Sequence, residues 1–314
     1  MGDARLAGTA LEFTRLDYDN CFMSPSLTLQ QAIDKAPFSR LQIRVILFCW
    51  LVNMLDGFDL LAISFAAPSI SSTWQLAPQL LGIVFSSGLL GMTLGSLLLG
   101  PLTDHIGRRR MVILATTVLG AATLATSLAD NIPALLLLRF VTGLAIGGLL
   151  PSLNTLVAEY APDRRRNFAV SIMHLGYPIG GIGGGALAAL LIPEFGWQSI
   201  FVIGGLVTLI MVPALVLWLP ESLLFLQSRR TDAANHAAQK IAADMGINWA
   251  EIQPEPVQSQ AGITTIIRPP WLLPGGALWG CFFLGYLALY FLINWIPTIL
   301  TNAGFSGEQA IGAG

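Results

Sequence analysis

The stretch VILFCWLVNMLDGFDLLAISFAAPSI, residues 45–70, decides the fold. It is apolar almost throughout and exceeds the roughly 20 residues that a helix needs to cross a bilayer core about 30 Å thick. Two acids nevertheless sit inside it, Asp56 and Asp59. An ionised carboxylate at that depth costs at least ~3 kcal/mol on insertion scales, so intramembrane acids usually face a cavity or a partner. A separation of three residues places both on one helix face, with Asn53 one turn earlier. Neighbouring carboxylates in a low-dielectric setting are suited to taking up and releasing protons. A purely structural pair satisfied by adjacent helices is the competing reading.

The rest of the chain extends the same pattern. Of 314 residues, 54% are hydrophobic and only 11% charged, against about 25% charged in soluble domains. Apolar stretches recur at 44–72, 79–102, 110–129, 133–158, 168–193, 199–220 and 273–300. Membrane strands would alternate apolar and polar residues, so these are expected to be helices of an all-α membrane protein. The expected organisation is a cytoplasmic N-terminal segment (1–43), a six-helix bundle (44–220), a long interdomain loop (221–272) carrying Pro254, Pro256, Pro269 and Pro270, and a seventh helix (273–314) opening a second bundle. On a six-plus-six plan the chain is expected to be a fragment.

Basic residues fix an expected orientation. Apart from Arg139, the 16 Lys and Arg fall in the N-terminal segment (Arg5, Arg15, Lys35, Arg40, Arg44) or after stretches two (Arg108, Arg109, Arg110), four (Arg164, Arg165, Arg166) and six (Arg229, Arg230, Lys240, Arg268). By the positive-inside rule the N-terminus and these loops are cytoplasmic. No cleavable leader is evident at the N-terminus. Cys21, Cys49 and Cys281 form no disulfide framework. Glycines cluster in GLAIGG (143–148) and GYPIGGIGGG (176–185), where small residues let membrane helices approach closely.

Arg139 is the one cation inside an apolar stretch. At ~1.5 Å per residue Asp59 lies about 21 Å from the inner face and Arg139 about 9 Å from the outer, and in a core of about 30 Å these depths coincide. Arg139 and the aspartates are therefore expected to face one cavity, where a guanidinium grips a carboxylate with two prongs. A permanent buried salt bridge is the alternative. His174, about 10 Å into the fifth stretch, is a candidate proton relay or a packing residue. Tyr177, Asn294 and Trp295 are candidates for lining the cavity of a planar acid. No metal cluster or nucleophile–base pair stands out, so neither an enzyme nor a cofactor is expected, with protons as the coupling ion.

GPLTDHIGRRR (100–110) joins the second and third stretches. Asp104 can meet Arg108 or a helix N-terminus, and Gly107 permits a tight turn. G-x-L-x-D-x-x-G-R-R resembles the loop signature of the major facilitator superfamily, with His105 where that family commonly has Arg. DGFD (56–59), RFVTGLAIGG (139–148), AEYAPDRRR (158–166), PES with a following FL (220–226) and NWIPTIL (294–300) resemble its aromatic acid:proton symporters. PESLLFL departs from the more usual PESPRFL.

The resemblance implies twelve helices in two halves, alternating access, and uptake of a benzoate-like anion with protons across a bacterial inner membrane. It implies coupling and substrate handling by Asp56 and Asp59. It places Asp104, Gly107, Arg108 and Arg164 at a cytoplasmic gate and makes Arg139 and Glu159 the charge relay of the fourth helix. The expected partners are a small aromatic carboxylate, protons and the lipid bilayer, without nucleic acid, and the full-length protein is expected to be a monomer. A proton-driven exporter, or a truncated fragment that binds without transporting, are the alternatives.

Overall fold

The computed structural model describes residues 27–252, 269, 272–306 and 309–310. Arg5, Arg15, Cys21, Pro254, Pro256, Arg268 and Pro270 lie outside the described residues. The described chain is helical: α1 (Leu29–Lys35), α2 (Arg40–Trp74), α3 (Pro78–Ile106), α4 (Arg108–Thr126), α5 (Ile132–Tyr160), α6 (Asp163–Phe195), α7 (Gln198–Trp218), α8 (Leu223–Arg229), α9 (Asp232–Asp244) and α10 (Leu272–Asn302).

The helix ends follow local chemistry. α2 begins at Arg40 rather than 44 because Ser39 and Gln42 form a capping box, each side chain bonded to the other's backbone N–H. α3 opens on Pro78, whose missing N–H costs nothing at a helix start. Asn131 caps α5 by accepting the Ala134 N–H at 2.8 Å. The α3–α4 turn closes at Gly107 with φ +102°, a conformation that residues with a Cβ avoid. Between 221 and 252 the connection is not plain loop, because α8 and α9 occupy much of it.

Among the described residues six helices, α2, α3, α5, α6, α7 and α10, are long and apolar enough to cross a membrane. α4, the third of the seven apolar stretches, falls short of that measure. It has 19 residues, opens on three arginines and carries the buried hydroxyls of Thr116, Thr123 and Thr126. Those hydroxyls are tolerated because α4 packs between α5 and α7.

α2 lies along α6 and α3 along α5, and glycine sets both approaches. A Cβ on Gly57 would overlap the Tyr177 carbonyl, and one on Gly180 the Met54 carbonyl. Across the other pair, Gly143 meets the Gly88 carbonyl. Backbones in direct contact gain the dispersion that replaces the absent hydrophobic drive in lipid.

Two apolar clusters result. One contains Val45, Cys49 and Val52 of α2, Leu119 of α4 and Ala145 to Leu156 of α5. The other contains Ala62 to Ile70 of α2, Leu135 of α5, and Trp197 and Phe201 at the start of α7. Between them each of α2, α4 and α5 leaves a gap in its apolar run, and the three gaps coincide in a buried polar layer.

Candidate functional site

That layer contains Asn53, Asp56, Asp59, Thr123, Thr126 and Arg139, all buried. Arg139 Nη1 stands 3.5 Å from Asp59 Oδ2, and Nη2 donates to Thr126 Oγ1 at 3.0 Å. The guanidinium also lies 5.1 Å from the centre of the Phe201 ring. Asp59 accepts a second bond, from Thr123 Oγ1 at 2.5 Å. The fork is therefore split between a carboxylate and a hydroxyl rather than closed two-pronged on one carboxylate. Pair, hydroxyls and ring together offset the desolvation of both charges.

Asp56 has a different environment from Asp59 despite sharing its helix face. Neither of its oxygens has a hydrogen-bond partner among the described residues. It lies one residue before Gly57, where α2 backs directly onto Tyr177 of α6. Asn53 donates to the Met173 carbonyl at 2.8 Å and ties α2 to α6. Asn294 accepts from Ser64 Oγ at 2.7 Å, which seats α10 on α2, and donates to the Tyr290 carbonyl of its own helix at 2.8 Å. Trp295 meets Phe85 edge-on at 5.6 Å.

The expected common cavity is not open. Asp59, Arg139, Gly88 and Asn294 line a space of about 20 Å³, room for about one water. A larger groove of about 490 Å³ runs beside it between α3 and α10, walled by Phe85, Met92, Tyr286, Tyr290, Asn294 and Trp295. Asp56 lines neither of these two spaces. His174 is exposed on α6 and makes no hydrogen bond or ion pair with the described residues.

At the helix ends near Gly107, Arg108 bridges Asp104 at 2.9 Å and Glu159 at 3.7 Å. Sequence reasoning missed Glu221. Its Oε1 accepts the N–H groups of Arg109 at 2.9 Å and Ser222 at 3.0 Å, while its backbone carbonyl takes the Tyr160 hydroxyl at 2.6 Å. The Phe225 ring lies under both Arg108 and Arg229, and Arg229 donates to the His105 carbonyl. Arg164 does not join this cluster. It is exposed, and Arg166 instead pairs with Asp163 at 2.5 Å. The signals for the missed residues were weak: two threonines three apart in an apolar helix, and one acid after a proline.

Comparison with known proteins adds the following. The family model of the Major Facilitator Superfamily matches residues 49–314. The 4-hydroxybenzoate transporter PcaK of Pseudomonas putida is 38% identical over 291 residues, 91% of this chain and 65% of that protein. A gallate transporter of the same organism is 35% identical, covering 88% of this chain and 63% of its own length. The 3-(3-hydroxy-phenyl)propionate transporter of Escherichia coli K12 is 36% identical, covering 87% and 60%. The chain thus spans somewhat under two thirds of these relatives. Among solved structures, the partially occluded inward-open xylose transporter XylE from E. coli superposes with TM-score 0.68 at 19% identity, over 87% of this chain and 66% of its own.

Proposed function

Because the chain belongs to the major facilitator superfamily, we propose that it forms part of a proton-coupled symporter for a small aromatic carboxylate. The observation that carries this reading is the polar layer, in which the Arg139–Asp59 pair stands beside Asp56, whose oxygens have no hydrogen-bond partner among the described residues. An anion entering against a potential of 100 mV, negative inside, is opposed by ~2.3 kcal/mol, which one accompanying proton cancels. A proton on Asp59 removes the charge that holds Arg139, and the guanidinium is then free for the substrate carboxylate. Asp56, whose oxygens are open to a proton, is the other carrier. The groove wall of Phe85, Tyr290 and Trp295 offers faces and edges to the substrate ring. Movement of α10 against α3 widens the closed space at Arg139. Arg108, Asp104, Glu159 and Glu221 lock the cytoplasmic ends between such movements. By its distribution of arginines the protein lies in the plasma membrane with the N-terminus inside.

The test is accumulation of labelled 4-hydroxybenzoate by right-side-out vesicles containing the protein, driven by an inward proton gradient. Wild type concentrates the label, whereas Asp56→Asn and Asp59→Asn variants admit it only down its own gradient. Accumulation by both variants in response to the proton gradient, or expulsion of label by wild type, refutes the reading.

A further inference from the structure

A second groove, on the far side of α2 and α6, belongs to none of this machinery. Ile43, Leu47 and Trp50 of α2 and Phe168, Ala169 and Ile172 of α6 wall a space of about 440 Å³, within the roughly 300–1,000 Å³ of ordinary ligand pockets. Its walls are apolar, and Ile43, Leu47 and Phe168 are 53%, 49% and 68% exposed. One end is basic. Arg165 lines it, with its guanidinium 5.4 Å from the centre of the Phe38 ring. Arg40 stands one turn before Ile43 on the same face of α2. Both arginines are exposed, and neither pairs with a carboxylate among the described residues. The nearby acids are engaged elsewhere. Asp163 holds Arg166, and Asp34 accepts the Asp163 N–H at 2.7 Å.

Charge therefore changes along the groove in one direction. The cationic end lies where α2 and α6 both begin, and the apolar part runs toward their middles. A lipid with its headgroup at the interface has the same polarity, and basic pockets between membrane helices are suited to anionic headgroups. We propose that this groove holds one anionic phospholipid, with its phosphate between Arg40 and Arg165 and an acyl chain between α2 and α6. A zwitterionic lipid satisfies the apolar walls and offers a phosphate, but it brings its own ammonium to a mouth that already holds two arginines, whereas an anionic lipid supplies net negative charge. An aromatic acid fills only part of the length. The proposal goes beyond the transport reading and does not depend on it.

The experiment is photocrosslinking of purified protein in phosphatidylcholine nanodiscs containing a trace of phosphatidylglycerol with a diazirine on its acyl chain. Crosslinks in wild type are expected within residues 43–50 and 168–172. Removing both charges, Arg40→Gln with Arg165→Gln, lowers the yield there about twenty-fivefold, at about fivefold per arginine. Restoring charge with lysine at both positions recovers most of it, which separates loss of charge from loss of fold. Ile172→Trp, which fills the groove, abolishes crosslinking at 43–50. Equal yields from a phosphatidylcholine probe, crosslinks outside these two segments, an unchanged yield in the glutamine variant, or displacement by 4-hydroxybenzoate overturns the proposal.

Discussion

Asp59→Asn is the most informative single perturbation. In the native chain Arg139 is buried with one carboxylate 3.5 Å away, one hydroxyl at 3.0 Å and one aromatic face at 5.1 Å. Asparagine can keep the Thr123 bond but removes the only negative charge paired with Arg139 among the described residues. Breaking a buried pair from one side costs about 3–5 kcal/mol, because the remaining charge is left uncompensated. At about 2–4 °C per kcal/mol the melting temperature of the purified protein drops by at least about 6 °C. Arg139→Gln, which leaves Asp59 with Thr123 alone, costs a similar amount. The double variant removes both charges and costs no more than either single change, so the cycle yields a coupling of at least about 3 kcal/mol. Thermal unfolding of the four proteins in one detergent, followed by tryptophan fluorescence, measures it. If both single variants melt within about 1 °C of wild type, or their effects add within ~0.5 kcal/mol, the pair does not hold α2 to α5 and the reasoning fails.

Two further outcomes follow from packing and from the connection after α7. Gly57→Ala drives a methyl group into the Tyr177 carbonyl and costs about 1–3 kcal/mol, whereas Gly183→Ala meets nothing within 4 Å and is neutral or slightly stabilising, as the same melting assay reads. Glu221→Ala leaves the N–H groups of Arg109 and Ser222 without their carboxylate and costs about 1.5–3 kcal/mol per charged bond lost. Limited proteolysis then cuts between α7 and α9 faster than in wild type, and an unchanged rate refutes the role given to Glu221.

Much was settled by the amino-acid sequence alone, because lipid leaves few choices. Backbone groups there must bond within their own helix, so the length of an apolar run fixes a helix, and among the described residues α4, with its arginines and threonines, is the one apolar stretch that departed from that measure. The meeting of Arg139 with Asp59 was legible for a similar reason: rise per residue gives depth, and two unlike charges at one depth in a low dielectric find each other. The turn at Gly107 and the Asp104–Arg108 bridge needed only local spacing. Tertiary structure decided the rest. Periodicity puts Asp56 and Asp59 on one face, yet only the helices packed against that face determine that Asp59 is paired while Asp56 is not. The same holds for Thr123, Thr126 and Phe201 around Arg139, for the exposure of His174 and Arg164, and for the closure of the space beside Arg139. A sequence gives each side chain its height and its angle on its own helix. Which neighbour fills that angle depends on where glycines such as Gly57 and Gly180 let backbones touch, a property of helix pairs that appears only once the chain is folded.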